Sequence, residues 1–268
     1  MGKKLPSTLE ALISNGIELA EIEKLVEDAG TDILEIASFP LRRARLKAPI
    51  LKPSKIVCLG LNYEDHAKER GKATPDEPIF FMKPRTTIIG QHDQIVKPSF
   101  VSQLDYEAEL AVVIGKRAKN VSASGARSFI FGYTILNDVS ARDIQFKDKQ
   151  WTRAKSFDTF APIGPSITTK NQVRNVSDLK IHTWVNNELR QDSTTAFMAF
   201  NVFEVVHHIS HVMTLEPCDI ISTGTPAGVG FALKPKPQFL QEGDVVVIEI
   251  EDLGTLRNTV INEDQLDS

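Results

Sequence analysis

The sequence predicts an α+β protein that is mainly β, with a small helical module at its N-terminus. Three observations carry this. Short β-branched runs closed by glycine or proline recur from residue 56 to residue 261. Polar, turn-forming clusters separate them. Sustained helical spacing is confined to residues 7–30 and to Val202–Met213. A chain of 268 residues suits one large domain with an appendage. We expect residues 1–50 to form the N-terminal module and linker, and residues 51–268 the main domain.

The first helical stretch breaks at Asn15-Gly16. Leu9, Leu12 and Ile13 make one apolar face, and Leu19, Ile22, Leu25 and Val26 another. Gly30 is the expected stop. Pro40, Pro49 and Pro53 then punctuate a linker containing the basic run Arg42-Arg43-Ala44-Arg45.

The strand Ile56–Gly60 opens the main domain. The polar density of residues 61–71 predicts a short, exposed helix that never joins a core. On it His66 and Glu69 are i, i+3 neighbours. A carboxylate so placed can orient and polarise an imidazole; an incidental surface pair is the other reading. Residues 72–78 read as a loop, and Ile79–Pro84 as a strand ended by proline. Lys83 there is either an inward cation or, more commonly, a strand-end surface lysine.

Leu104–Gly115 reads as one strand, so Asp105, Glu107 and Glu109 project from one face. Acids this close repel unless a positive charge lies between them. An oxygen-loving divalent cation, Mg²⁺ or Mn²⁺, would supply it; a solvated edge-strand face would not need one. Phe131–Ser140 is a buried strand ending at Asp138. Asp138 is a candidate third ligand, or a partner for Arg142. Ser140 is the expected N-cap of a helix carrying Arg142, Asp143 and Gln145. Lys155 lies among aromatic residues in Trp151–Phe160.

Residues 179–185 and 188 onward form a hairpin turning at Asn186-Asn187. Helix Val202–Met213 carries His207, His208 and His211. His207 and His211 have the spacing of helical metal ligands, but the glutamate that follows the first histidine in such zinc sites is missing. Its broad apolar face argues for core packing. Asp219–Gly230 runs into a glycine-rich turn whose N–H groups, with Thr223 or Thr225, can receive a carboxylate. Residues 245–250 and 255–261 close the chain as a hairpin.

A net charge of −4 provides no basic field, which argues against nucleic acid or anionic membrane as partners. The N-terminus lacks an apolar signal core. Cys58 and Cys218 sit in or beside apolar runs and are expected to be free thiols in a reducing, cytoplasmic setting.

Together these residues resemble one family. Gly60-Leu61-Asn62-Tyr63, Asp65-His66, Lys83-Pro84, Asp105-Tyr106-Glu107-Ala108-Glu109-Leu110, Asn137-Asp138-Val139-Ser140-Ala141-Arg142-Asp143, Lys155-Ser156-Phe157-Asp158 and Thr223-Gly224-Thr225-Pro226 match the fumarylacetoacetate hydrolase family, in order. Glu242-Gly243-Asp244 and Ile250–Gly254 look most like its domain-containing protein type 2 branch and bacterial relatives. The resemblance implies a mixed β-roll catalytic domain, usually in a homodimer. It implies Mg²⁺ or Mn²⁺ on Glu107, Glu109 and Asp138. It implies His66 and Glu69 as a catalytic pair on a lid, with Lys155 beside them. Arg142, Gln145 and Thr225 would bind substrate. Members act on 2-oxo and β-diketo acids, so hydrolytic C–C cleavage of acylpyruvate- or fumarylpyruvate-like compounds is the first expectation. Tautomerisation or decarboxylation of oxaloacetate is the alternative, favoured by Leu61 where the acylpyruvate-hydrolysing branch has arginine. A silent metal- or ligand-binding protein is the third reading.

Overall fold

The computed structural model describes residues 6–17, 19–38 and 40–266. The polar lead at residues 1–5 lies outside the described residues, as do the side chains of Leu19, Val26 and Arg42.

Three helices open the chain: α1 (Leu9–Ser14), α2 (Leu19–Asp28) and α3 (Gly30–Ala37). Then follow β1 (Ile56–Gly60), α4 (Glu64–Glu69), β2 (Ile79–Lys83), β3 (Ile88–Ile89) and β4 (Gln94–Lys97). The central segment holds β5 (Leu104–Asp105), β6 (Ala108–Ile114), β7 (Ile130–Asn137), β8 (Ser140–Ala141), α5 (Arg142–Asp148) and α6 (Trp151–Lys155). The last part contains β9 (Ala161–Thr169), β10 (Lys180–Val185), β11 (Glu188–Thr194), α7 (Val202–Val212), β12 (Ile220–Ser222), β13 (Val245–Ile250) and β14 (Gly254–Asn262).

The strands form a mixed seven-stranded sheet in the order β2-β1-β12-β6-β7-β9-β3 and a five-stranded sheet in the order β11-β10-β13-β14-β4. β5 pairs separately with β8. Period-2 alternation assigns the faces of the larger sheet. Val57, Leu59, Ala108, Leu110, Val112, Ile114 and Ile135 face the main core, which also takes Ile181, Ile248, Leu256 and the apolar face of α7. Ile56, Cys58, Phe81, Ala111, Val113, Leu136 and Ile163 form a second apolar cluster on the opposite face, with Ile13 of α1 packed into it. Continuing the alternation along β6, β7 and β2 puts Glu109, Asp138 and Lys83 on this second face. The candidate site is thus the polar end of an otherwise apolar surface.

The hairpin β10–β11 turns at Asn186 and Asn187, whose φ values of 51° and 69° suit a primed turn. Asn201 and Glu204 form a reciprocal capping box at the start of α7. Both cysteines are buried and free.

Several local expectations are corrected. Gly30 does not end the helical region: α2 stops at Asp28, and Gly30 is the first residue of α3. Its Ile33 and Ile36 are 59% and 88% exposed. Residues 104–115 are two strands, since the Glu107 N–H donates to Asn137 Oδ1 at 3.0 Å instead of to a ladder carbonyl. Ser140 does not cap α5; it lies in β8 and its hydroxyl donates to the Asp138 carbonyl at 3.0 Å. The α4 region does not stay outside the core: Tyr63, His66 and Ala67 are all buried.

Candidate active site

Glu107, Glu109 and Asp138 each bring a carboxylate oxygen within 4.8 Å of the others, and all three are buried. Glu109 Oε2 accepts from the Ser222 hydroxyl at 2.5 Å and from the Gly224 N–H at 2.8 Å. Glu109 Oε1 has no partner. Gly224 can approach this closely because it has φ +91° and any Cβ there would press on Asn62 at 3.0 Å. Asp138 accepts from Lys83 at 2.5 Å on one oxygen and from Lys155 at 2.6 Å on the other. Glu107 is bound by Lys155 at 2.8 Å and by Arg142 at 2.6 Å.

Asp105 stands apart from this group. It accepts from Arg142 Nε at 2.9 Å and from the N–H groups of Gly230 and Phe231 at 2.8 and 3.1 Å. It therefore fixes Arg142 and the glycine-rich turn.

The electrostatics follow from this packing. Burial, Asp138 and Glu107 together push the Glu109 carboxyl well above the usual range. Burial acts the same way on Glu107, but Lys155 and Arg142 outweigh it and hold that carboxyl well below the usual range. Burial opposes the Lys155 charge, yet Asp138 and Glu107 raise its pKa. Four buried acids, Asp105, Glu107, Glu109 and Asp138, meet only three buried cations, Lys83, Arg142 and Lys155. A hard divalent cation fits this oxygen-only donor set and the orphaned Glu109 oxygen.

His66 is only 4% exposed. Its Nδ1 lies 3.3 Å from Glu69 Oε2, while Glu69 Oε1 accepts from the Gly228 N–H at 3.0 Å. The Asn62 side chain ties the start of this segment to Thr223 and Phe200 through bonds of 2.8 to 3.1 Å. His66, Glu107, Arg142, Gln145, Lys155 and Thr225 all line one cleft, of about 20 Å³. Arg142 Nη1 is bonded to Gln145 Oε1 at 2.9 Å, whereas its buried Nη2 has no partner. The Thr225 hydroxyl accepts from Gln191 at 2.8 Å, leaving its proton to donate.

Of the nine residues that the family resemblance implies, six line the cleft; Glu69 meets it through His66, and Glu109 and Asp138 through Glu107 in the acid triad. The histidines of α7 stay apart from it. His207 Nδ1 donates to the Val121 carbonyl and His211 Nδ1 to the His207 carbonyl, both at 2.8 Å. Among the described residues the only three-ligand group is the acid triad.

Of the two sequence readings of Lys83, the inward cation holds, since it is 2% exposed; the surface lysine, the commoner case, does not. The alternation of Lys83 with the buried Phe81 was the available signal. Ser222 follows two apolar residues of a strand, which signals burial without naming Glu109 as its partner. Arg70, Trp151 and Phe231 also contribute to the site or its wall, and no motif marked them.

An acid triad that could hold a divalent metal, a carboxylate-oriented imidazole and unpaired cationic donors thus meet around one small cleft. The family model for the C-terminal region of fumarylacetoacetate (FAA) hydrolase matches residues 55–261. The chain belongs to that family, and its members are enzymes. It is 50% identical over 231 residues to the fumarylacetoacetate hydrolase domain-containing protein 2 homolog of Dictyostelium discoideum, covering 82% of this chain and 75% of that one. It is 40% identical over 259 residues to human oxaloacetate tautomerase FAHD2A, mitochondrial, covering 96% and 81%. The crystal structure of maleylpyruvate hydrolase from Sphingobium sp. SYK-6, in complex with manganese(II) and pyruvate, superposes with a TM-score of 0.78 at 30% identity, covering 94% and 85%.

Proposed function

We propose that the protein interconverts the keto and enol forms of a 2-oxo acid of the oxaloacetate type, with Mg²⁺ or Mn²⁺ on Glu107, Glu109 and Asp138. The observation that carries this reading is His66, buried and oriented by Glu69 in a cleft it shares with Lys155 and Arg142. When bound, the ion supplies Lewis-acid charge that lowers the energy of an enolate. Lys155 adds positive charge at the same oxygens. Gln145 and the Thr225 hydroxyl bind and orient the carboxylate of the 2-oxo acid end, and Arg142 Nη2 offers the substrate a further donor. His66 takes the proton from C3 and returns it to the oxygen, so atoms balance and no water is consumed. Burial of the site keeps competing water away. The oxaloacetate tautomerases among the relatives support this choice.

Hydrolytic C–C cleavage is the second reading, favoured by the likeness to the maleylpyruvate hydrolase. It consumes one water and releases pyruvate; decarboxylation would instead release CO₂. The test is to incubate the purified protein and Mg²⁺ with oxaloacetate, acylpyruvates and fumarylpyruvate, following enol absorbance and pyruvate release. Loss of the oxaloacetate enol signal without pyruvate is the expected result. Matched pyruvate release from acylpyruvates would favour hydrolysis, and no turnover at all would contradict both. A homodimer in a reducing, cytoplasmic compartment, with residues 1–50 as an accessory module to a catalytic domain at 51–268, completes the proposal. Light scattering tests the dimer.

A further inference from the structure

Arg70 lines the cleft beside His66, Glu107 and Arg142 and has no part in the chemistry above. It caps the C-terminus of α4, its N–H donating to the His66 carbonyl at 3.1 Å, so it is carried on the same short helix as His66 and Glu69. Its side chain is half-buried. The guanidinium carbon lies 5.4 Å from the centre of the Phe231 ring, and that of Arg142 lies 4.6 Å from the same centre. One aromatic ring therefore holds two guanidinium groups at the cleft.

The two arginines differ in how they are paired. Arg142 is tied to Asp105 and Glu107 and keeps only Nη2 free. Arg70 makes no ion pair or side-chain hydrogen bond among the described residues. Burial, then the neighbouring Arg142, pull its pKa down, outweighing the attraction of Glu107 and Glu69. A desolvated guanidinium with unused donors is a site for a planar anion, which it can bind through two parallel N–H groups. The rest of the anion-binding equipment, Lys155 and Thr225, belongs to the 2-oxo acid end.

We infer that Arg70, with the free Nη2 of Arg142, binds the distal carboxylate of a 2-oxo dicarboxylate and so sets the substrate class. This rests on the reading that the cleft takes a 2-oxo acid. Because Arg70 rides on α4 with His66, the contact links recognition of the second carboxylate to placement of the imidazole.

Oxaloacetate and 2-oxobutanoate test this, since they share four carbons and a 2-oxo acid end but only the first has a distal carboxylate. Their affinities for the Mg²⁺-loaded protein are measured by calorimetry in wild type, Arg70→Gln and Arg70→Lys. Arg70→Gln should weaken oxaloacetate roughly 10- to 100-fold, the range for a charged hydrogen bond, and leave 2-oxobutanoate unchanged. Arg70→Lys should recover part of the loss. Equal weakening of both compounds, no weakening of oxaloacetate, or a wild type that does not prefer oxaloacetate would overturn the inference. Enol turnover is read separately. A wild type that shows the affinity pattern without turnover would remove the tautomerase reading and leave the role of Arg70 standing.

Discussion

Glu109 is held by two donors on one oxygen and by none on the other. With Glu107 and Asp138 beside it, that free oxygen faces charge of its own sign, which a cation would relieve. Glu109→Gln should therefore abolish Mn²⁺ binding in calorimetry. Its metal-free melting temperature should match or exceed that of wild type, because an amide nitrogen turned toward the other acids replaces a repulsion with hydrogen bonds. Full-strength Mn²⁺ binding by the variant would remove Glu109 from the metal set. Lys155 is the complementary case. Its ammonium lies between Glu107 and Asp138 at 2.8 and 2.6 Å and acts as their counter-ion in the metal-free protein. Breaking a buried pair of this kind costs roughly 3–5 kcal/mol. Lys155→Met should show that loss in urea melts without metal and a smaller one with Mn²⁺. An equal loss in both conditions would mean that ion and lysine do not neutralise the same carboxylates.

The decisive element is α4. A helix of six residues is marginal alone in water, and it is anchored through Asn62 ahead of it, Asp65 on the Ser193 hydroxyl, and Glu69 at its end. It carries His66 into the wall of the small cleft that Glu107, Arg142 and Lys155 also line. We expect α4 to move as substrate enters, with residues 64–78 as the segment that opens. Hydrogen exchange should be fast there without ligand and slow when Mg²⁺ and oxalate, a planar enolate mimic, are both bound. Unchanged exchange in residues 64–78 would mean that substrate enters by another route. The sequence shows why α4 reads as an exposed helix: it lacks an apolar stripe. Its buried side is small and mixed: Tyr63 and Ala67, with His66 set against Glu69 and the edge of Phe231.

Across the whole molecule, local patterns were legible and long-range pairings were not. The alternation in β6, the Asn186-Asn187 turn and the α7 face could all be read from neighbouring residues. Nothing local states that β1 lies parallel to β12, with Cys58 opposite Ser222. Yet that pairing, with β12 beside β6, delivers Ser222 and Gly224 to Glu109. Alternation with Phe81 could point Lys83 inward, but only the long-range packing of β2 and β7 names Asp138 as its partner. The family motifs supplied what spacing alone could not, by naming which distant acids belong together. The exposed Ile33 and Ile36 of α3 have no explanation within this single chain.

The central claim is that His66 moves a proton at C3 of a 2-oxo acid held against the acid triad. The most direct measurement is the exchange of the C3 protons of oxaloacetate for deuterium in D₂O, followed by NMR with Mg²⁺-loaded protein. Wild type should accelerate the exchange, and His66→Ala should lose roughly 10²- to 10⁴-fold in rate, the range for removing a general base. Oxalate affinity should stay within a few fold in that variant, showing that the site itself is intact. Equal exchange rates for His66→Ala and wild type, or no acceleration by wild type, would contradict the account.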